Sequence, residues 1–148
     1  MPLKEEIRNQ IIEIQKQDLK NLQQMLKTHH EAADLDEEST LDPEDFSQQN
    51  QNFESVDILT KRITRSKQLL DNFLNLPVDG ISEVEPGALV LTKSLNFYIG
   101  ISAAQFRYEG KIYIGLNTDA PIYQALEGAK AGDTINFNGQ EYEISEVL

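Results

Sequence analysis

A run of acidic residues between positions 31 and 45 is the stretch of this sequence best suited to chemistry. It reads Glu-Ala-Ala-Asp-Leu-Asp-Glu-Glu-Ser-Thr-Leu-Asp-Pro-Glu-Asp and holds eight carboxylates without a lysine or arginine. Carboxylate oxygens are ligands that Mg²⁺ prefers, and one or two can suffice because the ion keeps several waters. A charge run is equally typical of a solvated loop. The secondary structure predicted on either side of the run helps to distinguish these two interpretations.

The segment before the acidic run predicts a long helix. Residues 5–30 contain no Gly or Pro and are rich in helix formers. Their apolar side chains recur at helical spacing in a wide stripe, formed by Ile7, Ile11, Ile12, Ile14, Leu19, Leu22 and Leu26. A stripe of this width indicates a helix that contacts a partner helix and a second surface as well.

The segment after the acidic run predicts a second helix, antiparallel to the first. Steps of three and four residues separate its seam positions, Val56, Leu59, Ile63, Ser66, Leu70 and Phe73. This is the pattern of an antiparallel coiled coil, in which Ser66 is a packing gap or register device. Asp42-Pro43 is a helix-start signal, although helix could begin only near Phe53. Pro77 and Gly80 end the helix, and the acidic run therefore lies at the tip of a hairpin.

Beyond the hairpin the patterns favour strands. Alternating or apolar runs predict strands over 88–92, 96–102, 111–116, 134–137 and 140–147, with one short helix over 120–127. Asn138-Gly139 is a type I′ hairpin signal and Pro86-Gly87 a tight turn. The predicted fold class is α+β: an antiparallel helical hairpin over 1–76, a linker over 77–87, and a small antiparallel sheet domain over 88–148.

The C-terminal residues resemble a known family. Ala120-Pro121-Ile122-Tyr123-Gln124-Ala125-Leu126-Glu127-Gly128, followed by Gly132-Asp133-Thr134, is similar to the C-terminal signature of the Gre transcript-cleavage factors. That signature has a small residue and Pro, then Ala-Leu-x-Gly, then Gly-Asp before a strand. The final strand, with Glu141-Tyr142-Glu143-Ile144, is also similar, so the resemblance covers roughly residues 84–148.

The resemblance implies a coiled coil followed by an FKBP-like domain that docks on RNA polymerase. Because the sequence has no signal-peptide pattern and no membrane-spanning run, we expect a cytoplasmic protein. The docking domain would include Pro121, Leu126, Gly128, Gly132 and Asp133. The hairpin would enter the secondary channel and offer tip carboxylates to a Mg²⁺ ion shared with the polymerase active site. The polymerase would then cleave its transcript, and the factor would need no active site or metal of its own.

The tip departs from the family pattern. Gre factors carry an Asp and then a Glu followed by Asn-Ala-Glu-Tyr, and this string is absent here. The candidate carboxylates are therefore Asp42, Glu44 and Asp45, with Asp36, Glu37 and Glu38 as alternatives. A Gre-like protein with this tip could promote cleavage, or it could inhibit or modulate initiation instead. A third hypothesis is a structural module that dimerises through the wide stripe of the first helix.

Composition limits the other possibilities. A net charge of −12 argues against direct high-affinity nucleic-acid binding, so the contact with nascent RNA that the resemblance implies would be indirect. There are no cysteines, and His29-His30 is a poor metal site because adjacent residues on a helix point in different directions. No apolar run is long enough to cross a membrane. The aromatic residues Phe97, Tyr98, Phe106, Tyr108, Tyr113 and Tyr123 could line a prolyl isomerase pocket, but their strand spacing is more typical of core.

Overall fold

A computed structural model describes residues 2–37 and 43–148, with side chains described for residues 2–29 and 56–148. Two long helices come first, followed by a six-stranded sheet and one short helix, which is the predicted α+β class. The elements are α1 (Leu3–Glu37), α2 (Pro43–Leu74), β1 (Leu89–Thr92), β2 (Asn96–Ile99), β3 (Ala103–Tyr108), β4 (Lys111–Leu116), α3 (Pro121–Leu126), β5 (Thr134–Phe137) and β6 (Gln140–Val147).

The chain divides into two compact units. One contains residues 1–14 together with 70–148, and the other contains residues 15–69. The start of α1 and the end of α2 thus belong to the same unit as the sheet. The division of the chain at residue 76 that composition suggested stays a prediction about domain organisation.

The seam predicted for α2 is confirmed by the pattern of burial. Between residues 56 and 74, the six seam positions are the ones withdrawn from solvent, and every other position is exposed. Leu59 and Ile63 are buried, while Ser66 is half-buried. A regular step of three and four residues keeps one face of a helix turned toward a neighbour, so burial follows the sequence period directly. The helix also begins at Pro43, as its start signal predicted, rather than near Phe53.

On α1, the wide apolar stripe divides into two parts. Ile7, Ile11 and Ile12 are buried in a cluster with residues of the sheet, which confirms that this helix contacts a second surface. Further along α1, between residues 15 and 29, the half-buried positions are separated by alternating steps of four and three residues. They are Gln15, Leu19, Leu22, Leu26 and His29.

The sheet has the strand order β3-β4-β2-β1-β6-β5. All neighbouring strands are antiparallel except β2 and β4, which are parallel. The sheet is therefore mostly antiparallel, as predicted, and this one parallel pair is the exception. The parallel pair arises because of β3, which was not predicted as a strand. Strand β3 forms an antiparallel hairpin with β4, so β4 lies between β3 and β2 and runs parallel to β2.

Apolar clusters cover the sheet on both faces. Phe97 and Ile99 of β2 belong to a cluster with α3, whereas Tyr98 between them belongs to the cluster with α1 and Phe73. Successive side chains of a strand point to opposite faces, so a strand covered on both sides is buried at every position. All four residues of β2 are indeed buried.

Candidate functional site

The predicted tip lies largely outside the described residues. Asp36 and Glu37 fall in the last turn of α1, and Glu44 and Asp45 fall in the first turn of α2. Their side chains, and the whole of Glu38 and Asp42, are outside the described part. The sequence hypothesis that these carboxylates meet a metal therefore stays a prediction.

Among the side chains that the structure does describe, no group of three His, Asp or Glu residues lies close enough together to hold a metal ion. His29 is half-buried on α1, and His30 lies outside the described side chains. None of the described helices is both long and apolar enough to cross a membrane.

The five predicted docking residues lie together in the segment from the start of α3 to the start of β5. Pro121 is the first residue of α3, as its restricted backbone favours, and Leu126 is the last. Gly128 follows the helix with a positive φ of 79°, a conformation that side-chain-bearing residues rarely adopt. The predicted short helix, with Pro at its start and Gly after its end, is confirmed.

Backbone hydrogen bonds hold this segment to its surroundings. The Gly128 N–H donates to the Val84 carbonyl at 2.9 Å, and the Val84 N–H donates to the Ala129 carbonyl at 2.8 Å. Val84 is only 1% exposed. Residues before β1 are therefore hydrogen-bonded to the segment after α3, and they help to fix its position.

Gly132 and Asp133 form a tight turn with Lys130. The Asp133 N–H donates to the Lys130 carbonyl at 3.0 Å, and the Asp133 carboxylate accepts a hydrogen bond from the Lys130 N–H at 2.8 Å. Gly132 adopts a φ of 92°, as the third position of a type II turn requires. The Gly132 N–H then reaches the Ile144 carbonyl on β6 at 2.8 Å.

The same residues differ in what they can offer a partner. Leu126 is fully buried and so has a packing role only. Pro121, Gly128, Gly132 and Asp133 are exposed. We refer to residues 120–134 as the signature loop, since it carries both the family-like string and these four accessible positions.

A second feature, which the sequence analysis did not single out, is a cleft of about 290 Å³ at the start of α1. It is lined by Pro2, Lys4, Glu5, Arg8, Val78 and Asp79. Lys4 is buried, and its ammonium group donates to the carbonyls of Val78 at 2.6 Å and Leu148 at 3.0 Å. Burial lowers the pKa of Lys4, and the nearby Asp79 carboxylate partly opposes that effect.

Arg8 lies one turn further along the same helix. Its guanidinium donates to the Leu74 carbonyl at 3.2 Å and lies 5.8 Å from the centre of the Phe73 ring. Phe73 in turn packs edge-on against Tyr98, with ring centres 5.3 Å apart. The cations of this cleft thus hold α1, the end of α2 and the sheet together. The sequence contains one signal for this cleft. Lys4 continues the helical spacing of Ile7 and Ile11, and it therefore occupies a core position on α1.

The aromatic side chains form core, as their strand spacing suggested. Phe97, Tyr98, Tyr113 and Tyr123 are buried, and Phe106 and Tyr108 are partly buried. Phe106 stacks on Tyr113 with ring centres 5.8 Å apart. The described cleft is lined by none of these residues.

Comparisons with known proteins give a structural similarity but no sequence match. No protein-family model matches the sequence, and no curated protein matches it. Among solved structures, the chain is similar to the transcription factor Gfh1, with a TM-score of 0.40 and 17% sequence identity. The similarity covers 93% of this chain and 92% of that one.

The described geometry therefore offers two surfaces to a partner. The signature loop is rigidly held and partly exposed, whereas the cleft around Lys4 has its ammonium donors directed at backbone carbonyls. The exposed positions of the signature loop, Pro121, Gly128, Gly132 and Asp133, are also the ones that the sequence resemblance singles out, whereas no residue of the cleft is among them. This difference makes the signature loop the better candidate for docking.

Proposed function

We propose that this protein is a Gre-like transcription factor that binds RNA polymerase. The observation that carries the proposal is the combination, in one chain, of a two-helix hairpin with a regular seam and the signature loop on an α+β unit. The signature loop contains the residues on which the sequence resemblance rests, and the hairpin is the other element that the resemblance implies. The part of α1 from residue 15 to residue 37, which does not belong to the unit of the sheet, is roughly 35 Å long, a length suited to entering a channel.

The proposed mechanism uses the tip carboxylates. The hairpin would enter the secondary channel, where Asp42, Glu44 and Asp45, or alternatively Asp36, Glu37 and Glu38, would supply ligands to the catalytic Mg²⁺. Carboxylates suit this ion, and a second metal held by them would supply the activated water needed to cleave a transcript. The protein contributes ligands and the polymerase performs the chemistry. Contact with the nascent RNA is indirect in this proposal.

Direct binding tests the partner. Purified protein should form a complex with bacterial RNA polymerase in a pull-down and on size exclusion. Asp133→Asn can retain the hydrogen bond to the Lys130 N–H while removing the exposed charge, so a weaker complex would assign docking to the signature loop. Failure of the unmodified protein to associate would sink the proposal.

Cleavage tests the mechanism. Stalled elongation complexes in Mg²⁺ should shorten their transcripts faster when the protein is added, and Asp42→Asn with Glu44→Gln should remove that gain. A matched control is Glu13→Gln with Asp18→Asn, which neutralises two exposed carboxylates of α1 outside the tip. If the protein binds polymerase without accelerating cleavage and lowers transcript initiation instead, the Gre-like inhibitor is the correct alternative.

The structural-module alternative is less well supported by the described residues. It needs Ile12, Leu19, Leu22 and Leu26 to be free for a second copy. Ile12 is buried with the sheet, and the three leucines are already half-buried within one chain. Light scattering distinguishes the two, because a tight dimer through this stripe would occlude the hairpin.

A further inference from the structure

Within the unit of residues 15–69, the described side chains carry an unusual concentration of positive charge. Residues 15–29 and 56–69 contain seven lysines and arginines and only two aspartates. The whole chain has 13 basic and 25 acidic residues, so more than half of its positive charge lies in these two segments. Residues 30–55 of the same unit contain nine carboxylates and no lysine or arginine, so the positive charge is confined to these two segments, where it favours an acidic partner.

Four exposed residues form one stripe along α2, which we call the α2 stripe: Ile58, Arg62, Arg65 and Leu69. Their steps of four, three and four residues place them on one helical face. Ile58 is 59% exposed and Leu69 is 43% exposed. The seam residues Leu59 and Ile63 lie on a different face, since they are buried.

The two arginines of the stripe have no ion-pair partner in the part of the chain that the structure describes. The salt bridges found there join Lys61 to Asp57 and Lys93 to Glu143. Both guanidinium groups are exposed and flanked by aliphatic side chains on the same face. The stripe thus combines planar cations that have no ion-pair partner among the described side chains with exposed apolar surface.

We infer that the α2 stripe docks on an acidic protein surface that carries carboxylates beside an aliphatic patch. Arginine matches a carboxylate with two parallel hydrogen bonds, which fixes orientation as well as adding affinity. Ile58 and Leu69 contribute favourable free energy to binding only if apolar atoms of the partner cover them. The inference rests on the proposed function, in which the acidic surface is a protein wall of the polymerase channel.

A nucleic acid fits this surface less well. Backbone phosphates would neutralise the arginines but leave Ile58 and Leu69 against water. Surfaces that bind single strands add aromatic side chains on which bases stack. Residues 15–29 and 56–69 contain no Phe, Tyr or Trp.

The test compares two variants with equal charge change. Arg62→Glu with Arg65→Glu reverses the charge of the stripe. Lys16→Glu with Lys67→Glu reverses the charge at two exposed positions elsewhere on the hairpin. Lys67 lies roughly 200° around the helix from Arg65. The dissociation constant for RNA polymerase should rise at least about tenfold for the stripe variant and much less for the control. Ile58→Ser should also weaken binding, and circular dichroism should show unchanged helix content.

The outcomes separate the two proposals. If the unmodified protein does not bind polymerase, the proposed function fails and the inference fails with it. If it binds and the stripe and control variants weaken binding equally, only the inference is overturned. Binding of single-stranded RNA or duplex DNA that is lost in the stripe variant and unaffected by Ile58→Ser would assign the surface to a nucleic acid and overturn the acidic-protein partner.

Discussion

The Nζ atom of Lys4 lies 3.0 Å from the backbone oxygen of Leu148, across 144 positions of sequence. The same ammonium group donates to the Val78 carbonyl. One buried side chain thereby links the first turn of α1 to the segment after α2 and to the residue that follows β6. The base of the hairpin is held to the sheet by polar bonds as well as by the apolar cluster around Ile7 and Ile11.

Replacing Lys4 by Met should destabilise the protein. The variant keeps the length of the side chain but leaves the Val78 carbonyl without its donor, which costs about 1–3 kcal/mol when the carbonyl stays buried. Urea unfolding at neutral pH measures the change. Lys16→Met, at an exposed position of the same helix, is the matched control and should change stability by less than about 0.5 kcal/mol. Equal effects of the two substitutions would contradict the role assigned to Lys4.

Stability should also fall at high pH through Tyr108. A hydrogen bond to Glu6, reinforced by burial and neighbouring negative charge, raises the pKa of Tyr108 to about 12 from its ordinary value near 10. The folded state then holds a proton that the unfolded state releases first. Its contribution to stability is complete below pH 10 and is lost as pH rises toward 12.

The measurement is the unfolding free energy of the protein and of Tyr108→Phe between pH 9 and pH 12. The variant lacks the titrating group, so its stability should decline less steeply across that range. Glu6→Gln provides the control. Removing the carboxylate should lower the pKa of Tyr108, so that its tyrosinate absorbance appears at a lower pH. Identical slopes for the protein and Tyr108→Phe would show that the contact with Glu6 is absent in solution.

The hairpin seam gives a third prediction. Ile63 is 7% exposed, and truncating it to Ala removes buried methyl and methylene groups from the contact between helices. We expect a loss of about 2–4 kcal/mol in the stability of the hairpin. Thr64→Ala, at the next and exposed position, should be nearly neutral. Thermal unfolding followed by helix signal compares them, and a similar loss at both positions would contradict the seam.

Ser66 shows how far sequence could predict this fold. Its half-buried position in the seam could be predicted because the spacing of three and four residues is a local property of the sequence. Such a spacing can be recognised without knowledge of the fold. The turn at Asn138-Gly139 was predictable for the same reason, and its positive φ values of 51° and 79° confirm it. Glu109-Gly110, with φ values of 50° and 79°, closes the β3–β4 hairpin in the same way.

The elements that could not be predicted depend on distant partners. Strand β3 lies at the sheet edge with Gln105 and Arg107 exposed, so its apolar pattern is weak. The burial of Tyr98 depends on Phe73, Ile7 and Ile11, which approach it only in the folded chain. For the candidate site, sequence located the signature loop but could not show that Leu126 packs inward while Asp133 faces solvent.

Gly87 provides the fourth prediction, at the turn that precedes β1. The Ala88 N–H donates to the Glu85 carbonyl at 3.0 Å, and Gly87 adopts a φ of 98°. A Cβ atom there would lie 2.4 Å from the Pro77 carbonyl oxygen, a contact that backbone must move to relieve. Both the strained φ and the overlap therefore oppose any side chain at this position.

Gly87→Ala should destabilise the protein by about 3 kcal/mol, of which the positive φ accounts for roughly 1–2 kcal/mol. Gly110→Ala is the matched control, because Gly110 has a similar φ of 79° but no atom within 4 Å of its added Cβ. Urea unfolding of both variants isolates the cost of the overlap with Pro77. If the two losses are equal, the chain near Pro77 moves aside freely, and the turn at Gly87 does not depend on close approach to the end of the hairpin.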